Sequence, residues 1–192
     1  MRTEILLFDG FDELDVFGPF EVLADNFDTA LVTLEGGRDV TSGRGVAVRA
    51  TRALSEPELL VVPGGGWLDG ASEGVRAQIE RGELPAAIAA RHAAGATVAS
   101  VCTGALLLAH AGVLDGRRAT TNPLALDDLR AFPVEVVAAR YVDDGDVLTA
   151  GAPACGIDLA LRLVERARGA DTAAAGARAI GHVIAAAAPA GP

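Results

Sequence analysis

The residues best placed for chemistry in this 192-residue chain lie in Thr97-Val98-Ala99-Ser100-Val101-Cys102-Thr103-Gly104-Ala105-Leu106-Leu107-Leu108. Here an apolar strand pattern runs straight into a helical one, with cysteine at the joint. A tight strand-to-helix turn crowds the positions two before and two after its apex, and Ser100 and Gly104 are the small residues such a nucleophile elbow needs. Amides at the helix start and the helix dipole favour negative charge, which predicts a lowered Cys102 thiol pKa and more thiolate at neutral pH. The same amides are placed to hold an oxyanion. A buried cysteine acting as a small apolar filler has the same local pattern, so spacing alone leaves catalytic, redox and packing roles open.

A second strand-to-helix joint, Leu148-Thr149-Ala150-Gly151-Ala152-Pro153-Ala154-Cys155-Gly156-Ile157-Asp158, brings another cysteine to the same sheet edge. Ligands of open α/β sheets bind beyond the carboxyl ends of the strands. Cys155 either resolves an oxidised Cys102 or packs under the following helix; packing is the commoner role and the preferred reading. The first strand-to-helix connection holds five acidic residues, Asp9, Asp12, Glu13, Asp15 and Glu21. Asp15 precedes Gly18-Pro19, where a helix start is expected, and is either a cap or an acid/base partner for the thiol, the more so if burial raises its pKa. Glu21 falls on the solvated face by helical phase. Pro63-Gly64-Gly65-Gly66 follows an apolar run and permits close backbone approach to a ligand. It lacks the GxGxxG spacing and the Walker lysine, so nucleotide binding is not expected. His92, His110 and His182 all fall inside helical patterns, so a Cys-His dyad has no support and the general base must be another group.

The elements that position these groups alternate along the chain. Strand patterns occur at 4–8, 30–34, 46–50, 59–62, 97–101, 134–137 and 147–150, and helical patterns at 19–24, 74–81, 85–94, 104–111, 124–130 and 157–166, with Pro19 and Pro85 near helix starts. Asp143-Asp144-Gly145-Asp146 reads as a hairpin turn. The class is α/β with a mostly parallel sheet. At 51% hydrophobic and 22% charged residues, the chain is expected to form one domain over residues 1–192. A net charge of −10 without clustered Lys or Arg argues against nucleic acid as a partner. Two cysteines are too few for a disulfide scaffold, and three histidines limit any metal site. No targeting signal and no membrane-length apolar stretch is found, so a soluble, cytoplasmic protein is expected. The tail, residues 185–192, is expected to fray.

Taken together, Leu14-Asp15-Val16-Phe17-Gly18-Pro19-Phe20-Glu21-Val22, Val62-Pro63-Gly64-Gly65, Ser100-Val101-Cys102-Thr103-Gly104-Ala105, Gly116-Arg117-Arg118-Ala119-Thr120-Thr121 and Gly156-Ile157-Asp158-Leu159-Ala160-Leu161 resemble the DJ-1/PfpI (ThiJ) superfamily, most closely its isonitrile hydratase-like branch. The resemblance implies a flavodoxin-like three-layer sandwich of the class I glutamine amidotransferase type, a homodimer, a small-molecule substrate, and no metal or organic cofactor. It implies Cys102 as nucleophile, Asp15 as proton relay and Thr103 as their partner in hydrating an isonitrile to an N-substituted formamide. The binding and oxyanion positions it suggests are Gly64, Gly65, Gly66, Gly104, Asn122 and Ala152. Two other readings stand beside it: a redox or electrophile sensor using the same cysteine, and a glyoxalase or deglycase-like activity on reactive carbonyls. The chain departs from the family pattern where Asn122-Pro123 replaces the usual histidine and tryptophan, and at Ala152-Pro153-Ala154-Cys155, where a glycine-rich turn is usual.

Overall fold

A computed structural model describes residues 1–184. In chain order it contains β1 (Arg2–Leu6), α1 (Glu13–Ala24), β2 (Asp28–Thr33), β3 (Asp39–Thr41), β4 (Ala47–Arg49), β5 (Arg52–Ala53), β6 (Leu59–Val62), α2 (Val75–Arg81), α3 (Glu83–Ala93), β7 (Thr97–Val101), α4 (Gly104–His110), β8 (Arg118–Ala119), a 3-10 turn (Pro123–Ala125), α5 (Leu126–Leu129), β9 (Glu135–Val136), β10 (Tyr141–Asp144), β11 (Val147–Ala150), α6 (Cys155–Arg168) and α7 (Ala170–Ala179).

A seven-stranded sheet runs in the order β10-β11-β7-β6-β1-β2-β5. Every pairing in it is parallel except that of β10 with β11. Strand β6 is wholly apolar, and β7 and β11 are apolar but for Thr97, Ser100 and Thr149; these strands are buried because helices cover both sheet faces. Helices α1, α6 and α7 pack together, and α2, α3 and α4 form a second group, giving three layers. Register sets the site: Val62 of β6 pairs with Ser100 of β7, and Ala150 of β11 pairs with Val101. The turns that leave these three strands therefore emerge side by side at one carboxyl edge.

Several expected boundaries move for identifiable reasons. Pro19 lies inside α1, not at its start; the helix begins at Glu13 because the Asp12 side chain accepts the Leu14 N–H at 3.0 Å and caps it. Asp15 thus sits in the first helical turn. The run at 46–50 forms β4 but pairs with β3 in a separate hairpin, and the run at 134–137 contracts to β9, paired with β8. The region 124–130 divides into the 3-10 turn and α5. Helix α7 and strands β3, β5, β8 and β10 add to the expected set. The tail expected to fray lies outside the described residues.

Candidate active site

Cys102 joins β7 to α4 with φ of 55°, the one positive φ on a non-glycine residue among those described. A left-handed conformation at such a residue costs about 1–3 kcal/mol and persists only where its surroundings enforce it. Here the Cys102 N–H donates to the Ala150 carbonyl at 3.0 Å, and the Thr121 hydroxyl donates to the Cys102 carbonyl at 2.9 Å. Gly104 lets the next turn press on the end of β6, since a Cβ there would lie 2.4 Å from the Val62 carbonyl oxygen.

Beneath the sulfur lies Asp15, fully buried on α1. Its Oδ2 accepts the Gly64 N–H at 2.8 Å, and its buried Oδ1 has no hydrogen-bond partner of good geometry among the described residues. Thr103 Oγ1 accepts the Gly65 N–H at 3.1 Å. A Cβ on residue 64 would stand 2.5 Å from Thr103 Oγ1 and 2.9 Å from Asp15 Oδ2, so the bare backbone of Gly64 is what allows both groups to approach the elbow. Asn122 completes the ring of contacts: its Oδ1 accepts the Leu124 N–H at 3.0 Å, which turns its Nδ2 to donate to Cys102 Sγ at 3.2 Å.

Burial raises the Asp15 carboxyl well above its ordinary value of 3.8, with the nearby Asp12 charge adding to the effect and the Gly64 N–H opposing it. The Cys102 thiol is pushed up to about 12, first by burial and then by the Asp15 charge, while hydrogen bonds from Asn122 and the Thr103 amide pull it down. This corrects the expected lowering. Helix α4 has only seven residues and offers the sulfur one amide, and that is outweighed by burial beside a carboxyl group. Because burial raises both groups and each charge opposes the other, Asp15 and Cys102 must be treated as one titrating unit.

Above the sulfur opens a cleft of about 290 Å³, lined in part by Cys102, Thr103, Gly65, Gly66, Asn122 and Pro153. Of the positions suggested by sequence, Gly64 and Gly104 lie under the elbow, outside the lining, and Ala152 packs against the core while its neighbour Pro153 faces the cleft. The Gly64 and Gly65 amides are engaged by Asp15 and Thr103, whereas Asn122 Nδ2 and the Thr103 amide donate to the Cys102 sulfur. Trp67, Leu68, Asp69, Asp12 and Arg44 also line the cleft. Sequence reasoning passed over them, although Trp67 is the only tryptophan of the chain and follows the triple glycine directly.

Cys155 is buried at the start of α6, and both cysteines are free thiols. Glu21 is exposed, as its phase required. His92 pairs with Asp146 at 2.8 Å, His110 lies edge-on to Phe132, and His182, just past α7 and not inside a helix, pairs with buried Asp158 at 2.8 Å. None of the three lines the cleft. Among the described residues no three His, Cys, Asp or Glu side chains gather to hold a metal ion, and no helix is long and apolar enough to cross a membrane.

Fold and site together define an α/β protein with a nucleophile elbow whose cysteine is backed by a buried carboxyl group instead of an imidazole. The chain belongs to the DJ-1/PfpI family, whose model matches residues 1–166. It is 35% identical over 177 residues to the isonitrile hydratase of Pseudomonas putida, covering 90% of this chain and 75% of that protein. A deglycase of Pyrococcus abyssi is 32% identical over 158 residues, 80% of this chain and 91% of the relative. The crystal structure of a ThiJ/PfpI family protein from Pseudomonas syringae superposes with a TM-score of 0.84 at 26% identity, covering 94% of this chain and 74% of the other.

Proposed function

We propose that this chain, acting as a single DJ-1/PfpI domain over residues 1–192, is a cysteine-dependent hydratase that converts isonitriles to N-substituted formamides without a cofactor. The observation that carries the reading is a fully buried Asp15 beneath the nucleophile, its carboxyl raised well above its ordinary value by that burial, with no histidine in the cleft. An isonitrile presents a terminal carbon that must accept both a nucleophile and a proton, and a neutral carboxylic acid is suited to give that proton. As the Cys102 sulfur attacks, Asp15 protonates the isonitrile carbon and receives the thiol proton in return, leaving a thioimidate, S–CH=N–R. Water then adds across the C=N bond, with Asp15 taking and returning a proton. Collapse of the adduct breaks the C–S bond, restores the thiol and releases the formamide. Asn122 Nδ2 and the Thr103 amide face the sulfur while charge develops on it; the Thr103 hydroxyl is held in place by the Gly65 N–H.

The purified protein is expected to convert p-nitrophenyl isocyanide to N-(p-nitrophenyl)formamide. Unchanged substrate, in an assay where the P. putida hydratase consumes it, would overturn the reading. The deglycase relatives keep a carbonyl activity as the alternative, but no cleft histidine is present to serve it. The sensor reading is less well supported, because oxidation proceeds through thiolate and the thiol is buried with its pKa raised.

We further propose a cytoplasmic homodimer. Two free thiols suit a reducing compartment. Leu14 and Phe17 are exposed one turn apart on α1, and Val46 is exposed on the β3–β4 loop that Arg44 ties to Glu13; exposed apolar side chains of this kind suit a self-complementary contact. Light scattering is expected to give twice the 19.5 kDa chain mass, and Phe17→Glu to shift it toward the single chain.

A further inference from the structure

We infer that Trp67 is a fixed aromatic wall of the Cys102 cleft, and that the preferred substrates carry a flat, uncharged aryl group. The inference rests on the hydratase reading for the identity of the reacting group, but not for the wall itself. Trp67 follows the triple glycine that leaves β6 and lines the cleft together with Cys102. Its indole N–H donates to Asp128 Oδ2 of α5 at 2.7 Å, and the Arg76 guanidinium of α2 lies over the ring, 4.2 Å from its centroid. A surface ring is normally mobile. This one is held along its edge from one helix and across one face from another, with the cation attracted to the ring quadrupole. Trp67 lines the same cleft as Pro153. A pre-ordered aromatic surface gives up little conformational entropy when a ligand stacks on it, and it favours flat π-systems over puckered aliphatic rings of similar size.

Charge at the mouth narrows the class further. Asp12 and Asp69 line the cleft, and among the described lining residues Arg44 is the only cation. Its Nη1 is shared between Asp12 Oδ2 at 3.1 Å and Glu13 Oε2 at 2.6 Å, so its charge is matched twice over. Asp12, Glu13 and Asp69 together outnumber the Arg44 charge, so a substrate bearing a carboxylate would enter against a net acidic mouth.

Trp67 is the chain's only tryptophan, so its emission reports on the cleft directly. Titrating the Cys102→Ala protein, which binds without turnover, phenyl isocyanide is expected to change the emission saturably, at a concentration about tenfold below that needed for cyclohexyl isocyanide. Isocyanoacetate is expected to leave it unchanged. Equal affinities for the aryl and cyclohexyl compounds, tight binding of isocyanoacetate, or aryl binding with no emission change would each overturn the inference. In turnover, Trp67→Leu should raise KM for phenyl isocyanide about tenfold with little change in kcat and leave cyclohexyl isocyanide unaffected, while Trp67→Phe keeps the aryl preference. A uniform loss on both substrates would mean that the ring only supports the loop, and would also overturn it. Should no isonitrile be turned over, formanilide against N-cyclohexylformamide in the same emission titration still decides the wall, so the hydratase reading can fail alone.

Discussion

Replacing Cys102 with alanine is expected to abolish isonitrile hydration, lowering kcat/KM by at least about 10⁴-fold while leaving the fold intact. No other residue lining the cleft is a strong nucleophile, because Cys155 is buried at the start of α6 and absent from the lining. Alanine bears the same left-handed strain as cysteine, and the Ala150 and Thr121 bonds are made by the backbone of residue 102, so the elbow should survive the substitution. Serine is expected to be nearly as inactive. With the thiol pushed up to about 12, the resting enzyme holds little thiolate at pH 7. Reactivity must therefore arise while substrate is bound and Asp15 is exchanging protons, a transfer that an alcohol, far less acidic than a thiol, resists. The same property predicts slow alkylation of substrate-free Cys102 by iodoacetamide. More than a hundredth of wild-type turnover in Cys102→Ala would remove the nucleophile, whereas rapid alkylation would overturn the raised thiol pKa.

What sequence made visible and what it did not divides along the range of the forces involved. Strands β6, β7 and β11 are legible because each is a short, mostly apolar β-prone run, and the elbow because Ser100 and Gly104 are the small residues a sharp turn demands. These are local constraints. Pro19 reads locally as a helix opener, whereas the Asp12 cap seven residues earlier sets the start of α1. Helix-end electrostatics can be read from adjacent residues, but the burial that overrides them, and the Asp15 charge that adds to it, arise only in the assembled fold. Asn122 first registered as the loss of a ring. Its role as a donor to sulfur depends on Leu124 fixing its amide, a relation visible only once the 3-10 turn exists. Pro153 took the place expected of Ala152 for a similar reason: which of two neighbours faces the cleft depends on the angle at which the chain leaves β11.

The second large effect is expected at Asp15. Asp15→Asn keeps an oxygen to accept the Gly64 N–H, preserves volume in a fully buried position, and removes only the ability to give and take a proton. Turnover is expected to fall by about 10²- to 10⁴-fold with substrate affinity little changed. Stability should move the other way. In the folded chain the carboxyl is held protonated well above 3.8, the value it regains on unfolding. Between those two values the native state binds more protons than the unfolded state, so unfolding free energy falls as pH rises. The contribution of neutral Asp15 is fully present below 3.8 and is lost as pH climbs through the folded value. Cys102 repeats the pattern between 9.0 and about 12. The asparagine variant lacks the first of these losses, so its urea midpoint relative to wild type should be higher at pH 8 than at pH 5. Wild-type kcat/KM should decline as pH rises through the folded pKa of Asp15, because the acid that protonates the isonitrile carbon is being titrated away. An Asp15→Asn protein within tenfold of wild-type activity, or a stability difference independent of pH, would mean that the buried carboxyl is a structural group and the proton comes from elsewhere.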